Sequence, residues 1–255
     1  MPTSIVAGNW KMNTTVPEAL ILAAQMKDEL DKVFGIEKVI CPPFVSLMAL
    51  SSMFSGSTIQ LGAQNMHAED KGAYTGEISS QMLVGICKYV ILGHSERRQL
   101  LGETSDSVNA KMNSAIANGI TPIVCIGETL DDRNAGKAKE VVLGQLEASI
   151  SGIGSNSNLA IAYEPLWAIG TGIAATSDDA EDMMSEIRDM LSATLGNSFS
   201  NQVSLLYGGS VNSNNIGDYI TQKNINGVLV GGASLDPNAF VEIARAVSRL
   251  SLIHI

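Results

Sequence analysis

The sequence predicts an α/β protein built as a single closed (β/α)8 barrel, and three observations predict it. Eight short runs rich in Val, Ile and Leu recur along the 255 residues, the runs are nearly continuously apolar, and amphipathic helical patterns separate them. A strand buried on both faces of a parallel sheet lacks the alternation of a half-buried one, which is the pattern here. Eight β–α units in roughly 250 residues fit the size of a closed barrel. A doubly wound open sheet competes, but the G-x-G-x-x-G fingerprint that opens its first helix is missing after the first run. No linker or shift in composition divides the chain, so residues 1–255 read as one domain.

The strand-like runs fall at 5–8, 38–41, 58–63, 89–92, 120–126, 159–163, 203–207 and 227–230. Before the first helix, Thr15-x-x-Glu18 has the form of a capping box, in which a hydroxyl and a carboxylate satisfy donors that a helix start leaves open. Its apolar face continues through Ala19, Leu20, Ala23, Met26, Leu30 and Val33 at helical spacing. Similar faces recur at Ala138, Val142, Leu146 and Ile150, and at Ala180, Met183, Met184, Ile187 and Leu191. Thr176, Ser177, Asp178 and Asp179 open the second of these, where acidic groups suit the positive end of the helix dipole. The methionines on these faces read as core filler. The last helix opens with Asp236-Pro237, a cap followed by a residue whose missing N–H costs nothing in the first turn.

Composition narrows the function. A 45% hydrophobic content and a mean hydropathy of +0.16 argue for a sizeable core and against disorder. No apolar run approaches the roughly 20 residues of a membrane span. Met1-Pro2-Thr3-Ser4 leads straight into Ile5-Val6-Ala7 with no basic segment or signal-like apolar region, so a cytoplasmic location is expected. A net charge of -10 disfavours nucleic acid and anionic membranes as partners. It also denies an anionic substrate any long-range attraction, so a phosphate would need positive potential built locally from a lysine, helix N-termini and backbone amides. Cys41, Cys87 and Cys125 are odd in number, widely spaced and set in apolar sequence. They read as buried thiols rather than as a disulfide framework or a metal site.

In a parallel barrel the chemistry belongs at the C-terminal ends of the strands, and polar residues collect there. The first run ends Gly8-Asn9-Trp10-Lys11-Met12-Asn13. Lys11 stands two residues beyond Asn9, so on an extended segment both side chains point the same way. An ammonium ~4 Å from a developing oxyanion contributes on the order of 4 kcal/mol at an effective dielectric near 20. The fourth run ends Gly93-His94-Ser95-Glu96-Arg97-Arg98, which places His94 where a helix begins. The helix dipole disfavours imidazolium there and leaves a neutral ring able to donate to a carbonyl oxygen. His94-x-Glu96 lacks a third ligand at metal spacing, since His67 and His254 lie elsewhere. After the fifth run, Glu128 is expected only to charge the first turn of the next helix and receives no catalytic role.

The sixth run ends Tyr163-Glu164-Pro165. The proline cannot extend a ladder and biases its predecessor toward extended geometry, so the strand ends with one carboxylate at its tip. Leu166, Trp167 and Ile169 then give way to Gly170 and Gly172, the composition of a lid that excludes water. The seventh and eighth runs end alike, in Gly208-Gly209-Ser210-Val211 and Gly231-Gly232-Ala233-Ser234. Paired glycines there can turn N–H groups inward to hold a phosphate, at the two loops where barrels commonly bind one. The third connection, 64–79, is long and polar, and its Gly72-Ala73-Tyr74-Thr75-Gly76 tip suits docking. Taken singly, each motif also admits a purely structural reading, as a solvated lysine, a capping histidine or a tight turn.

Together and in order, these segments resemble the triosephosphate isomerase family over essentially the whole chain. The resemblance also rests on Ala63-Gln64-Asn65, Gly76-Glu77 and Ala168-Ile169-Gly170-Thr171-Gly172; Leu166 departs softly from the valine frequent in lids of that family. It implies a TIM barrel that interconverts dihydroxyacetone phosphate and D-glyceraldehyde 3-phosphate through an enediolate, in glycolysis and gluconeogenesis, with no cofactor and no metal. On the matching positions Glu164 is the base, His94 the neutral electrophile, and Lys11 and Asn9 stabilise the enediolate oxygens. The phosphate rests on the amides of Gly170, Ser210, Gly231 and Gly232 beneath a lid at 165–172. A homodimer is implied too, with Thr75 inserted beside Asn9 and Lys11 of the neighbouring copy. Three other functions remain open at this point. A phosphosugar aldolase would want a Schiff-base lysine, commonly on strand six, where Glu164 stands instead. A non-catalytic phosphosugar-binding barrel would not need Glu164, His94 and Lys11 together. An isomerase or epimerase for a larger sugar phosphate would need more room than this lid leaves. The apolar tail at 250–255 reads only as an extension of the last helix.

Overall fold

The structure, a computed structural model, describes residues 2–154, 157–168 and 175–251. Each apolar run folds as a strand, within one residue of the expected bounds. The strands are β1 Ile5–Asn9, β2 Glu37–Cys41, β3 Ile59–Ala63, β4 Tyr89–Leu92, β5 Thr121–Ile126, β6 Ala160–Tyr163, β7 Ser204–Tyr207 and β8 Gly227–Val230. They pair in chain order, and β8 returns to β1 in parallel, with Ile5 opposite Gly227 and Gly8 opposite Val230. The sheet closes into a (β/α)8 barrel, and closure removes the exposed edge that an open sheet must protect.

Side chains alternate between the two faces of each strand. Ile5, Ala7, Val39, Cys41, Tyr89, Ile91, Ile123, Cys125, Ala160, Ala162, Leu206 and Leu229 fill the barrel. Val6, Ile40, Val90, Leu92, Val124, Ile161, Leu205 and Val228 point outward into the larger core shared with the helices. The inward parity carries past the strand ends: 5 and 7 lead to Asn9, 160 and 162 to Glu164, 229 to Gly231. The packing of each strand thus decides which residue at its tip faces the barrel mouth.

The helices begin where local chemistry says they should. The Glu18 carboxylate accepts the Thr15 N–H at 2.7 Å and its hydroxyl at 2.8 Å, ahead of the helix Val16–Asp31. Thr176 Oγ1 accepts the Asp179 N–H at 3.0 Å to start Ser177–Leu195. Asp236 Oδ1 accepts the amides of Asn238 and Ala239 at the start of Pro237–Ser251. Met26 and Met184 are fully buried in the core, and the three cysteines are buried free thiols. In the third connection the His67 N–H donates to the Ile78 carbonyl at 2.8 Å, and the Tyr74 ring lies 4.2 Å from the ring of His67. Among the described residues, no helix is long and apolar enough to cross a membrane. Residues 169–174 and 252–255 lie outside the described residues, and with them half of the lid read at 165–172 and most of the tail at 250–255.

Candidate active site

A cavity of about 270 Å³ opens at the C-terminal mouth of the barrel, and Asn9, Lys11, His94, Glu164, Ser210, Gly231 and Gly232 all line it. Five separate strand or loop segments therefore deliver the expected residues to one place. Glu164 sits at the tip of β6, 2% exposed. Its Oε1 lies 3.0 Å from His94 Nε2, and its Oε2 accepts the Ser95 N–H at 2.9 Å. Gly208 makes room for it, because a Cβ there would stand 2.9 Å from Glu164 Cγ.

His94 caps the helix Ser95–Leu101, accepting the Glu96 N–H at Nδ1. A ring nitrogen that accepts carries no proton, so the neutral ring presents Nε2–H to the cavity. Gly93, at φ +70°, makes the turn that sends the chain from β4 into this cap. Burial lowers the proton affinity of His94, but the facing Glu164 carboxylate more than offsets it, and the net direction is upward. That contact belongs to a cavity in which carboxylate and imidazole face each other directly. A carbonyl oxygen placed at Nε2 would separate the two and leave burial and the Nδ1 cap in favour of the neutral ring.

Lys11 corrects one expectation: its φ of +54° is left-handed, so the Asn9 to Lys11 segment is not extended. The pair still converges by another route. The Lys11 N–H donates to Asn9 Oδ1 at 3.0 Å, which turns the Asn9 amide nitrogen outward as a donor, while Lys11 Nζ pairs with Glu96 Oε1 at 2.5 Å. Gly231 lies close by, its absent Cβ only 3.9 Å from that ammonium. The Ser210 hydroxyl donates to the Ala168 carbonyl at 2.5 Å, joining the β7 loop to the start of the segment read as a lid. Of that segment, Leu166–Ala168 forms one 3-10 turn; 169–172, with the Gly170 amide, falls outside the described residues. Thr75 is exposed on the third connection, away from the cavity lining of its own chain.

The sequence reading misjudged one charged group and missed two others. Glu128 does not charge a helix turn, since Thr129 caps the helix Leu130–Asn134. It is fully buried, and its Oε1 accepts the Trp167 indole N–H at 2.8 Å and the Tyr163 hydroxyl at 3.0 Å, tying β5 to the first lid residues. Glu103 accepts the Gly93 N–H and Arg97 Nε, each at 3.2 Å, and pairs with buried Lys111. Lys111 donates in turn to Asn65 at 3.0 Å, so this network links the turn before His94 to the third connection. Lys111 had a legible signal, a charge on the buried face of Val108, Met112 and Ala115.

A sequence model of triosephosphate isomerase matches residues 4–247. The chain belongs to the triosephosphate isomerase family. Triosephosphate isomerase of Dehalococcoides mccartyi is 51% identical over 241 residues, 94% of this chain and 95% of the relative. Those of Herpetosiphon aurantiacus and Symbiobacterium thermophilum are each 46% identical, over 96% and 97% of this chain and 99% and 98% of theirs. Matches of that length leave the whole barrel, strand ends included, inside the triosephosphate isomerase comparison.

Proposed function

We propose that the chain, acting as one domain, interconverts dihydroxyacetone phosphate and D-glyceraldehyde 3-phosphate, with Glu164 moving a proton between adjacent carbons. The observation that carries this is the convergence on one small cavity of a buried carboxylate, a histidine donor, a lysine and two diglycine corners. A carbon acid beside a carbonyl is too weak for a carboxylate alone, so the oxyanion that forms needs donors fixed beforehand. In this reading His94 Nε2, Lys11 Nζ and the Asn9 amide supply them. Helix Ser95–Leu101 and the Asn9 contact to the Lys11 backbone hold two of those groups before substrate arrives. Amides of Ser210, Gly231 and Gly232, with Gly170, receive the phosphate, and the segment at 165–172 covers the site. An enediolate left open to water would lose phosphate or be protonated by solvent.

The active form in this reading is a homodimer. Met12, Val45, Met48, Tyr74 and Met82 are exposed large apolar side chains, and they come from the connections after β1, β2 and β3, which are adjacent around the barrel. Exposed apolar side chains gathered on neighbouring connections favour an interaction surface there. A second copy would cover it and set Thr75 beside Asn9 and Lys11 of the first. The test of the reaction is a coupled assay with dihydroxyacetone phosphate on protein stripped of metal. Turnover that survives chelation is expected; absence of turnover in both directions would overturn the assignment.

A further inference from the structure

Past the last paired residues of β5 and β6, Ile126 and Tyr163, two main-chain hydrogen bonds carry the ladder on. The Glu164 N–H donates to the Ile126 carbonyl at 2.8 Å, and the Leu166 N–H to the Glu128 carbonyl at 3.1 Å. Gly127 stands between those two carbonyls and is buried. Successive peptide groups of a parallel strand point to opposite neighbours, so the N–H and C=O of Gly127 face away from β6. On that side β4 has already ended at Leu92, and the chain has turned into the helix Ser95–Leu101. Buried peptide groups left without partners there would cost about as much as lost hydrogen bonds. Gln145, on the helix Ala138–Ser149, supplies both partners. Its Oε1 accepts the Gly127 N–H at 2.9 Å, and its Nε2 donates to the Gly127 carbonyl at 3.0 Å. One carboxamide thus does for Gly127 what a further residue of β4 would have done.

Gly127 in turn lies directly on the Glu164 main chain. A Cβ at position 127 would overlap the Glu164 carbonyl oxygen and stand 2.7 Å from its carbon, so only bare backbone fits. Resting on the role of Glu164 as base, we propose that Gln145 is a positioning residue for the reaction: it fixes the Gly127 peptide, and that peptide sets where the Glu164 carboxylate stands. Gln145 does not line the cavity that holds Asn9, Lys11 and His94, so it reaches the substrate only through Glu164. Without its carboxamide, the two Gly127 groups must shift to find other partners, and the Glu164 main chain moves with them. Lys11, Asn9 and the diglycine corners come from β1, β7 and β8, which Gln145 does not hold, so binding of the substrate is spared.

The test is steady-state kinetics with dihydroxyacetone phosphate on Gln145→Met, which keeps the length and loses both hydrogen bonds, and on Gln145→Asn, whose amide is one methylene short of the pair. Each rate is divided by the folded fraction from far-UV circular dichroism. In Gln145→Met kcat is expected to fall about tenfold with KM within about twofold, and Gln145→Asn to fall between it and the parent. A double variant separates positioning from a purely structural role. In Glu164→Asp the carboxylate is already withdrawn, so adding Gln145→Met is expected to cost less than about threefold, because both changes act on one group. Parental kcat in both Gln145 variants, a loss confined to KM, or the full loss repeated in the Glu164→Asp background would overturn the positioning role while leaving the base in place. Unchanged kcat in Glu164→Asp alone would instead remove the base, and the positioning role with it.

Discussion

At the scale of single residues, the site works by giving each carboxylate a different surrounding. Glu164 keeps two donors, Ser95 N–H and His94, and so stays poised as an acceptor. Glu128 is buried with one oxygen lacking a hydrogen-bond partner. Burial raises its carboxyl above the ordinary range, against the hydrogen bonds of Trp167 and Tyr163 and the charge of Arg133. A carboxyl raised in the folded state stabilises fully below its unfolded value and loses that contribution as pH climbs through the folded one. Glu128→Gln removes the charge but keeps an acceptor for indole and phenol. Its stability relative to the parent should therefore rise between pH 4 and pH 7 in urea titrations, and an equal difference at both pH values would contradict this. The sequence showed Asn9 and Glu164 because strand parity alone aims them. It hid Glu128, whose burial depends on Tyr163 and Trp167 closing over it from 35 and 39 positions away. It also misjudged Lys11, because a left-handed residue breaks the alternation on which the inference relied.

At the scale of elements, strand ends and the turns after them convert packing into position. The strands were readable from continuous apolar runs, and the helix starts from Thr15, Thr176 and Asp236, since caps and burial on both faces are local signals. The close approaches between neighbouring loops were not readable, because a glycine in sequence does not say what lies beside it. Gly208 shows the difference. A Cβ there meets Glu164 Cγ at 2.9 Å and the Tyr163 carbonyl at 3.1 Å, so Gly208→Ala pushes the Glu164 carboxylate, the proposed base, from its place without removing it. Displacement of a reacting group by about 1 Å costs on the order of a hundredfold. A fall in kcat of roughly ten- to a hundredfold is expected, with the melting temperature changed little. Undiminished turnover would show that Glu164 tolerates the crowding.

At the scale of the whole molecule, a chain of net charge -10 would hold an anionic substrate. Local potential must do this, from one lysine and oriented amides within a short distance of each other, rather than a basic surface. The exposed apolar side chains of Met12, Val45, Met48, Tyr74 and Met82 bear on the proposed homodimer, in which activity would be tied to assembly. Charges introduced together at Val45→Asp and Met48→Asp should yield a monomer in sedimentation velocity and lower kcat, since Asn9 and Lys11 would lose the neighbouring loop. A parent protein that sediments as a monomer at assay concentration and is fully active would contradict the link.

The central claim is that the buried carboxylate at the tip of β6 does the proton transfer while other groups hold the substrate. Shortening it by one methylene separates those two tasks, so steady-state kinetics of Glu164→Asp with dihydroxyacetone phosphate tests the claim most directly. The account predicts a fall in kcat of about a hundredfold or more with KM changed by no more than a few fold. Unchanged kcat, or a loss confined to KM, would contradict it.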